Sequence, residues 1–382
     1  MFELSEELTM VRDAVRDFAE RELKPRATKH DRQEHLDAEV LAQIAQLGFW
    51  GLTVPEQYGG VGMGNLALST VLEELNRGCA ATGVTVSVHN SLLCAPIVKW
   101  GTEDHKRRFL PKLASGEWIG AYCLTEPNSG SDAAALVTKA ERDGDHYVLN
   151  GTKIWVTSGS MAGLALVYVR TNPDPKLPKA KGISAFLVET STSGCRVGKK
   201  ELKCGIRGSP ATEFVFENCR VPAANMLGAL DRGFPIAMDT LDGGRIGIAA
   251  QAVGIAQACI EEAIAYAKVR VQFGKPIAHF QAIQHKIADM QVRIDAARML
   301  VQKAAWLRDR GEPCGRQAAE AKLFASQAAN FCADECLQIH GGAGYTDHFI
   351  AERLFRDARI TEIYEGATDI QRLVIARAVI GT

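Results

Sequence analysis

The chain has 382 residues, of which 47% are hydrophobic, and its 44 Lys and Arg nearly balance its 45 Asp and Glu. This length allows two or three domains, and the apolar fraction excludes wholesale disorder. The balanced charge gives no electrostatic reason to expect a nucleic acid or an anionic membrane as a partner.

The sequence carries no pattern typical of export or of a membrane span. The most apolar long stretch, residues 246–267, is interrupted by Gln251, Gln257 and two glutamates. The first residues, MFELSEEL, lack the charged-then-apolar layout of a signal peptide. The ten cysteines form no C-x-x-C pair, which is typical of reduced thiols. We therefore expect a cytoplasmic protein.

The first predicted domain, residues 1–117, is helical. Apolar residues from Leu4 to Phe18 recur at steps of 4, 3, 4 and 3, which places them on one helix face, and Ser5 is suited to cap that helix. The glycine-rich stretch 60–64 has the spacing G-x-G-x-G and opens no βαβ unit, so it is expected to be a loop between helices. Further helical patterns cover residues 38–46, 66–77 and 102–114.

The second predicted domain, residues 118–230, is a β-barrel or sandwich. Asn150-Gly151 lies between two short β-rich runs and predicts a hairpin with a type I′ turn, and Asp143-Gly144 is a second turn signal. The proline-rich stretch 171–182 predicts a solvated loop. Short runs rich in β-branched and aromatic residues predict strands at 164–169, 183–188 and 213–216.

The third predicted domain, residues 231–382, is a four-helix bundle. Apolar residues from Ile283 to Ala304 repeat at steps of 4 and 3, which is the seam of packed helices. Further helices are predicted at 238–269, 316–339 and 369–380. The predicted fold class is therefore α+β, with an all-α domain, a β domain and a helical bundle in chain order.

Several kinds of chemistry are disfavoured. Cys332 and Cys336 lie one helical turn apart, but His340 is the one plausible third ligand nearby, so core cysteines are favoured over a metal site. The histidines suggest no catalytic triad, and no G-x-S-x-G is present.

Three polar clusters interrupt the regular patterns. Each has an ordinary structural explanation: turn hydrogen bonds for the hydroxyl-rich segment 122–132, a buried core tryptophan for Trp155, and a carboxylate at a helix start for Glu365. Considered separately, none of them establishes a function.

Together these clusters resemble the acyl-CoA dehydrogenase family, and the likeness covers essentially the whole chain. That family has an α–β–α architecture. The matching segments are VPEQYGG (54–60), YCLTEPNSGSD (122–132), NGTKIWVTSG (150–159), LDGGRIGIAAQAVGIAQ (241–257), RVQFGKPI (270–277), LQIHGGAGY (337–345) and RDARITEIYEGATDIQR (356–372).

The resemblance implies FAD as cofactor and a homotetramer in which neighbouring subunits share the FAD site. Residues implied to line the flavin and its phosphates are Tyr122, Leu124, Thr125, Ser131, Trp155 and Thr157, with Thr368 and Asp369 beside them. Residues implied to reach the FAD of a neighbouring subunit are Arg270, Gln272, Gln281, Gln338, Gly341 and Gly342. Residues implied to contact the acyl-CoA substrate are Ser131, Asp242, Arg245, Tyr364 and Gly366.

The resemblance also implies that Glu365 is the catalytic base. It would remove the α-proton of an acyl-CoA thioester while a hydride passes from Cβ to flavin N5. The thioester carbonyl would be polarised by the backbone N–H of Glu365 and a ribityl hydroxyl. A carboxylate covered by apolar substrate has a raised pKa, which makes it a better base.

Two residues depart from the family pattern. Ala367 stands where the family usually has threonine, so a hydroxyl contact to FAD is lost or is made by Thr368 instead. Asp369 stands where the family more often has Glu or Gln, so its shorter side chain reaches less far toward the adenosine side of FAD.

The motifs most resemble short-chain, butyryl-type members, so a short to medium straight acyl chain is expected, with electron-transfer flavoprotein as acceptor. In branches such as the isovaleryl type, the catalytic base lies at the position of Gly244, and glycine cannot act as a base. The glutaryl type has an arginine near the position of Gly83, so the glycine here argues against a dicarboxylyl substrate.

A short branched-chain acyl-CoA dehydrogenase remains an alternative. A flavin-containing binding protein on the same scaffold, such as the DNA-associated alkylation-response type, is disfavoured by the balanced charge and by Glu365. An acyl-CoA oxidase, which passes its electrons to O₂, is a further alternative. It is disfavoured because such oxidases are commonly much longer than this chain.

Overall fold

The computed structural model describes residues 4–381. Residues 1–3 and 382, and with them the ends of the first and third predicted domains and the start of the MFELSEEL segment, lie outside the described residues. The order of helices, sheet and helices along the chain confirms the predicted α+β fold class.

The N-terminal part is helical. Ser5 Oγ accepts a hydrogen bond from the Leu8 N–H at 3.2 Å, which confirms the predicted cap of the first helix. Single π-helical turns, Ala19–Leu23 and His89–Cys94, each join two α-helices into one longer rod. The helices are α1 (Glu6–Phe18), α2 (Lys24–Gln33), α3 (Ala38–Gln46), α4 (Asn65–Gly78), α5 (Ala80–Val88), α6 (Ala95–Trp100) and α7 (Glu103–Ala114).

The middle part is an eight-stranded sheet of β1 (Ile119–Cys123), β2 (Lys139–Asp143), β3 (His146–Thr157), β4 (Ala162–Arg170), β5 (Ile183–Glu189), β6 (Cys195–Lys200), β7 (Ala211–Pro222) and β8 (Met226–Leu227). The strands lie in the order β6-β7-β3-β2-β4-β5-β8, and β1 pairs parallel to β4. The predicted turn at Asp143-Gly144 is confirmed, since β2 and β3 form an antiparallel hairpin around it.

The hairpin predicted at Asn150-Gly151 is wrong. Strand β3 runs through both residues, and its register against β7 shifts between Leu149 and Gly151, which marks a bulge. Gly151 has φ +148°, and a Cβ there would lie 2.5 Å from Thr138 Oγ1. Because a bulge and a tight turn both favour glycine at an unusual φ, the dipeptide alone could not distinguish them.

The C-terminal part is the predicted helical bundle. Met290, Ile294 and Ala297 of the predicted seam are buried in it. A two-stranded ribbon between the first two long helices was not predicted, because its strands have only two residues each. The elements are α8 (Gly233–Val269), β9 (Val271–Gln272), β10 (Lys275–Pro276), α9 (Gln281–Asp309), α10 (Gly315–His340), α11 (Ala351–Arg359) and α12 (Thr368–Ile380).

Two helical stretches, Ala80–Trp100 and Gly233–Val269, are long and apolar enough to cross a membrane by length and composition alone. Their most apolar windows are 89% and 72% buried inside the fold, as is typical of core helices. Cys332 and Cys336 are also buried in this helical core, as expected.

Candidate active site

A cavity of about 630 Å³ lies where the three parts of the fold meet. Its size falls within the range of small-molecule sites. Its walls come from residues 88–92 of the N-terminal part, from 122–134, 154–157 and 203–211 of the middle part, and from 234–245 and 360–370 of the C-terminal part.

Most of the residues implied for the flavin and the substrate meet at this cavity. Those that line it are Tyr122, Leu124, Thr125, Ser131, Trp155, Thr157, Arg245, Tyr364, Glu365 and Gly366. Residues far apart in sequence therefore line one cavity, as the resemblance implied for a single site.

A buried ion pair fixes the middle wall. Lys153 Nζ lies 2.6 Å from Glu126 Oε1 and donates to the Leu124 carbonyl at 3.1 Å. Glu126 also accepts hydrogen bonds from the backbone N–H groups of Val137 and Thr138, at 2.7 and 2.9 Å. Since both charged side chains are almost fully buried, the pair ties the segment after β1 to strand β3.

Trp155 faces the cavity because strand β3 is irregular at this point. The register of β3 shifts between Lys153 and Val156, and Trp155 has φ +59°. Its side chain is 56% exposed, which contradicts the alternative of a buried core tryptophan. A large aromatic face is thereby presented to the cavity.

The backbone at Glu365 is strained. Glu365 has φ +54°, a region that side chains other than glycine rarely adopt, and Gly366 follows at φ +92°. Trp155 and Ile206 also line the cavity with positive φ. Such strain concentrates at functional sites, where the surrounding structure maintains it.

The carboxylate of Glu365 is poised to accept a proton. Glu365 Oε2 is buried and has no hydrogen-bond partner in the structure, although the residue as a whole keeps some exposure. Burial raises the pKa of Glu365 to about 7, and the positive charges of Arg245 and Lys322 oppose that rise. A general base is most effective when its pKa lies near the working pH, so this environment suits proton abstraction.

Gly244 on helix α8 faces the Glu365 carboxylate directly. A Cβ at Gly244 would lie 2.7 Å from Glu365 Oε2 and 2.8 Å from Leu92 Cδ2. The absence of a side chain at this position therefore leaves the space in which the carboxylate sits. Gly83, by contrast, faces the Asn76 side chain, with 2.2 Å between its Cβ position and Asn76 Nδ2, and does not line the cavity.

Some implied residues lie beside the cavity without lining it. Asp242 pairs with Arg245 at 2.7 Å and lines a second recess of about 540 Å³. The Thr368 hydroxyl donates to the Glu362 carbonyl at 3.1 Å, and Asp369 pairs with Arg372 at 2.8 Å. The Thr368 hydroxyl is thus engaged within its own chain.

A third group of implied residues lies on the outer surface of the chain, away from the cavity. All of its members are exposed: Arg270, Gln272, Gln281, Gln338, Gly341 and Gly342. These residues are free to contact another chain, and none of them lines the cavity of its own chain.

The cavity residues fit a flavin. The Tyr122 hydroxyl is buried there without a hydrogen-bond partner, and the exposed Trp155 ring offers a stacking face. Thr125, Ser131 and Thr157 add hydroxyl groups to an otherwise mainly apolar lining. An apolar, planar ring with polar edges matches this set of groups.

Three lysines near the cavity were not predicted. Lys153 is described above, Lys203 lines the cavity, and Lys322 donates to the Gly366 carbonyl at 2.8 Å. The sequence does contain a signal for the burial of Lys322. This residue lies three and four positions from small residues of an alanine-rich helix, which places it on the buried face of that helix. Within residues 4–381, no group of three or more His, Cys, Asp or Glu is arranged to hold a metal ion.

Comparison with known proteins places the whole chain in one family. Residues 5–117, 121–219 and 231–380 match the models of the N-terminal, middle and C-terminal domains of acyl-CoA dehydrogenase. The mitochondrial short-chain specific acyl-CoA dehydrogenase of Bos taurus is 48% identical over 374 residues, covering 98% of this chain and 90% of that protein.

Solved structures agree with this placement. Butyryl-CoA dehydrogenase from Megasphaera elsdenii superposes with a TM-score of 0.97 at 42% identity, covering 100% of both chains. A chain in a structure of the electron transferring flavoprotein of Acidaminococcus fermentans, described in connection with flavin-based electron bifurcation, also gives a TM-score of 0.97, at 43% identity and full coverage of both chains.

Proposed function

Because the chain belongs to the acyl-CoA dehydrogenase family, we propose that it oxidises short-chain acyl-CoA thioesters to trans-2-enoyl-CoA with Glu365 as the base and FAD as cofactor. The observation that carries this proposal is the buried, unpartnered Glu365 carboxylate at the edge of a cavity that fits a flavin. Its pKa of about 7 leaves a substantial ionised fraction at neutral pH.

In this proposal each wall of the cavity has a task. Tyr122, Thr125, Ser131 and Thr157 would hold the flavin by hydrogen bonds, and Trp155 would pack against its ring. When bound, FAD supplies the acceptor for the hydride that leaves Cβ of the substrate. Residues Leu124, Thr368 and Asp369 remain assigned to its surroundings.

Glu365 removes the proton from Cα. The α-proton of a thioester is weakly acidic, so the carboxylate needs a raised pKa and a fixed position. The left-handed backbone at Glu365 and the missing side chain at Gly366 direct the carboxylate at the cavity. Apolar walls exclude water, which preserves the base for the substrate.

A short acyl chain is favoured by the relatives and by the cavity wall. The Bos taurus relative is named as short-chain specific and the Megasphaera elsdenii structure as butyryl-CoA dehydrogenase. The Tyr364 hydroxyl donates to Gln251 Oε1, and Gln251 is fully buried. This hydrogen bond holds Tyr364 in place, so the cavity wall at Tyr364 does not move outward to admit a longer acyl chain. Asp242 and Arg245 are assigned to the pantetheine region.

The proposed enzyme is a homotetramer that passes electrons to electron-transfer flavoprotein. The exposed residues Arg270, Gln272 and Gln281, with the surface loop at 338–342, would contact the FAD of a neighbouring subunit. Arginine suits such a contact because its guanidinium group binds pyrophosphate oxygens in two places. The likeness to a chain in a structure of an electron transferring flavoprotein supports the choice of acceptor.

The test is anaerobic reduction of the FAD-loaded protein by butyryl-CoA, measured as bleaching of the flavin absorbance. Glu365→Gln should retain FAD and lose at least ~10² in the rate of bleaching, a typical general-base contribution. Glu320→Gln makes the same chemical change on the surface side of α10, where Glu320 pairs with Arg316, and should bleach at the wild-type rate.

Two results would contradict the proposal. Wild-type bleaching by Glu365→Gln would remove Glu365 as the base, and a protein that binds FAD but is bleached by no acyl-CoA would favour the non-dehydrogenase alternative. A series of straight and branched acyl-CoA thioesters in the same assay compares the short straight-chain assignment with the short branched-chain one.

A further inference from the structure

Lys322 is a buried cation that has no carboxylate partner among the residues that the structure describes. It lies on α10, is 0% exposed, and donates from Nζ to the Gly366 carbonyl at 2.8 Å. None of the ion pairs in residues 4–381 includes it, whereas Arg245, the other cation near Glu365, pairs with Asp242 at 2.7 Å. A buried, unpaired ammonium group is costly, which points to a use for its charge.

The carbonyl that Lys322 binds belongs to the strained segment that carries Glu365. Gln371 Nε2 donates to the same Gly366 carbonyl at 2.8 Å and to the Glu365 carbonyl at 3.3 Å. Two buried donors on different helices therefore hold a peptide whose two residues both have positive φ. Holding this peptide fixes the direction of the Glu365 side chain.

The charge of Lys322 also reaches the Glu365 carboxylate. The groups that face Glu365 are Arg245 from α8, Lys322 from α10, Tyr122 from β1 and the adjacent Tyr364. Only the first two are cations, and the Asp242 carboxylate offsets the charge of Arg245. The charge of the Glu362 carboxylate also acts on Lys322, but Glu362 is paired with Arg359. Lys322 is therefore the cation at the base that no carboxylate in residues 4–381 holds in an ion pair.

We propose that Lys322 is a positioning residue for Glu365, which holds the Gly366 carbonyl through its hydrogen bond and keeps Glu365 partly ionised at neutral pH through its charge. This proposal rests on the proposed function, in which Glu365 is the base. In chemical terms, burial favours the protonated form of Glu365, which cannot accept a proton, and Lys322 opposes that effect without forming an ion pair that would block the carboxylate.

The test measures the ionisation of Glu365 directly in the FAD-loaded protein without substrate. Infrared difference spectra across pH 5.5–8 follow the protonated carboxyl band, which is assigned by its absence in Glu365→Gln. Lys322→Met should raise the midpoint of the Glu365 titration by about one pH unit, which is the lower end of the effect of a nearby opposite charge. The rate of flavin reduction by butyryl-CoA at pH 7 should then fall about fivefold beyond any loss from misplacement, because the ionised fraction falls from about one half to about one eleventh.

Three further variants separate charge from hydrogen bonding and from folding. Lys322→Arg keeps the charge and should keep the midpoint within about 0.3 units. Gln371→Met removes an uncharged donor to the same carbonyl, so it should slow reduction without moving the midpoint. Lys322→Gln is uncharged but polar and should show the upward shift even where the methionine variant does not fold.

A wild-type midpoint in Lys322→Met or Lys322→Gln would overturn the proposal, since Lys322 would then be merely structural. Failure of the proposed function has a different signature. In that case the infrared midpoint still moves with the charge at position 322, but Glu365→Gln reduces its flavin at the wild-type rate.

Discussion

Replacing Gly244 by alanine tests whether the empty space beside Glu365 is required for catalysis. The new Cβ would lie 2.7 Å from Glu365 Oε2 and 2.8 Å from Leu92 Cδ2, whereas ordinary contacts begin at 3.4 Å. The carboxylate must therefore move by about 0.7 Å, the difference between 3.4 and 2.7 Å.

A displacement of this size has a predictable kinetic effect. Misplacing a reacting group by about 1 Å costs on the order of 10²-fold in rate, so Gly244→Ala should reduce its flavin roughly 30- to 100-fold more slowly with butyryl-CoA. That range corresponds to about 2–2.7 kcal/mol in the barrier. The protein should still bind FAD and fold, because alanine is favoured over glycine inside a helix by about 1 kcal/mol.

Gly243→Ala is the matched control. It makes the same change one residue earlier in α8, where the new Cβ would meet the end of the flexible Arg308 side chain at 3.3 Å. The assay is stopped-flow reduction under anaerobic conditions, with FAD content and melting temperature measured on the same samples. Reduction of Gly244→Ala at the rate of Gly243→Ala would refute the argument that the carboxylate occupies this space during the reaction.

Two further predictions concern ionisation and the buried ion pair. Because Glu365 must be ionised to accept a proton and its pKa is raised to about 7, the rate of flavin reduction at low butyryl-CoA concentration should fall tenfold for each pH unit well below 7 and level off above it; a rate that is flat from pH 5 to 8 would contradict this assignment. Lys153→Met leaves the Glu126 carboxylate buried without its cation, so we expect a loss of about 3–5 kcal/mol in stability and weaker FAD retention, measured by denaturation and flavin release. The double variant Lys153→Met/Glu126→Gln should recover part of that loss, and an additive loss in the double variant would show that the two side chains are not coupled.

The fold was predictable from the sequence where helices and strands have one buried face. The seam from Ile283 to Ala304 is an example, since its period follows directly from packing on one side. Helix α5 has no such period because residues 79–94 are buried on all sides. The Asn150-Gly151 bulge was mistaken for a turn because both need unusual backbone angles at glycine.

The site was predictable only in part, for a different reason. Glu365 was identified through resemblance to a family, since a lone carboxylate near a helix start has an ordinary structural explanation. Its desolvation depends on the cavity walls, which come from all parts of the chain. The contact from Lys322 to Gly366 joins residues 44 positions apart, and no local pattern specifies it.

The location of the cavity has a consequence for how such proteins diversify. Its walls come from the N-terminal helices, the middle sheet and the C-terminal bundle, so no one of these parts contains a complete site. A recombination event that exchanged a single part between two relatives would bring together walls shaped for different acyl groups. We therefore expect substrate preference to be inherited with the whole chain, and natural chimaeras within this architecture to be rare compared with gene duplication followed by coordinated change in all three parts.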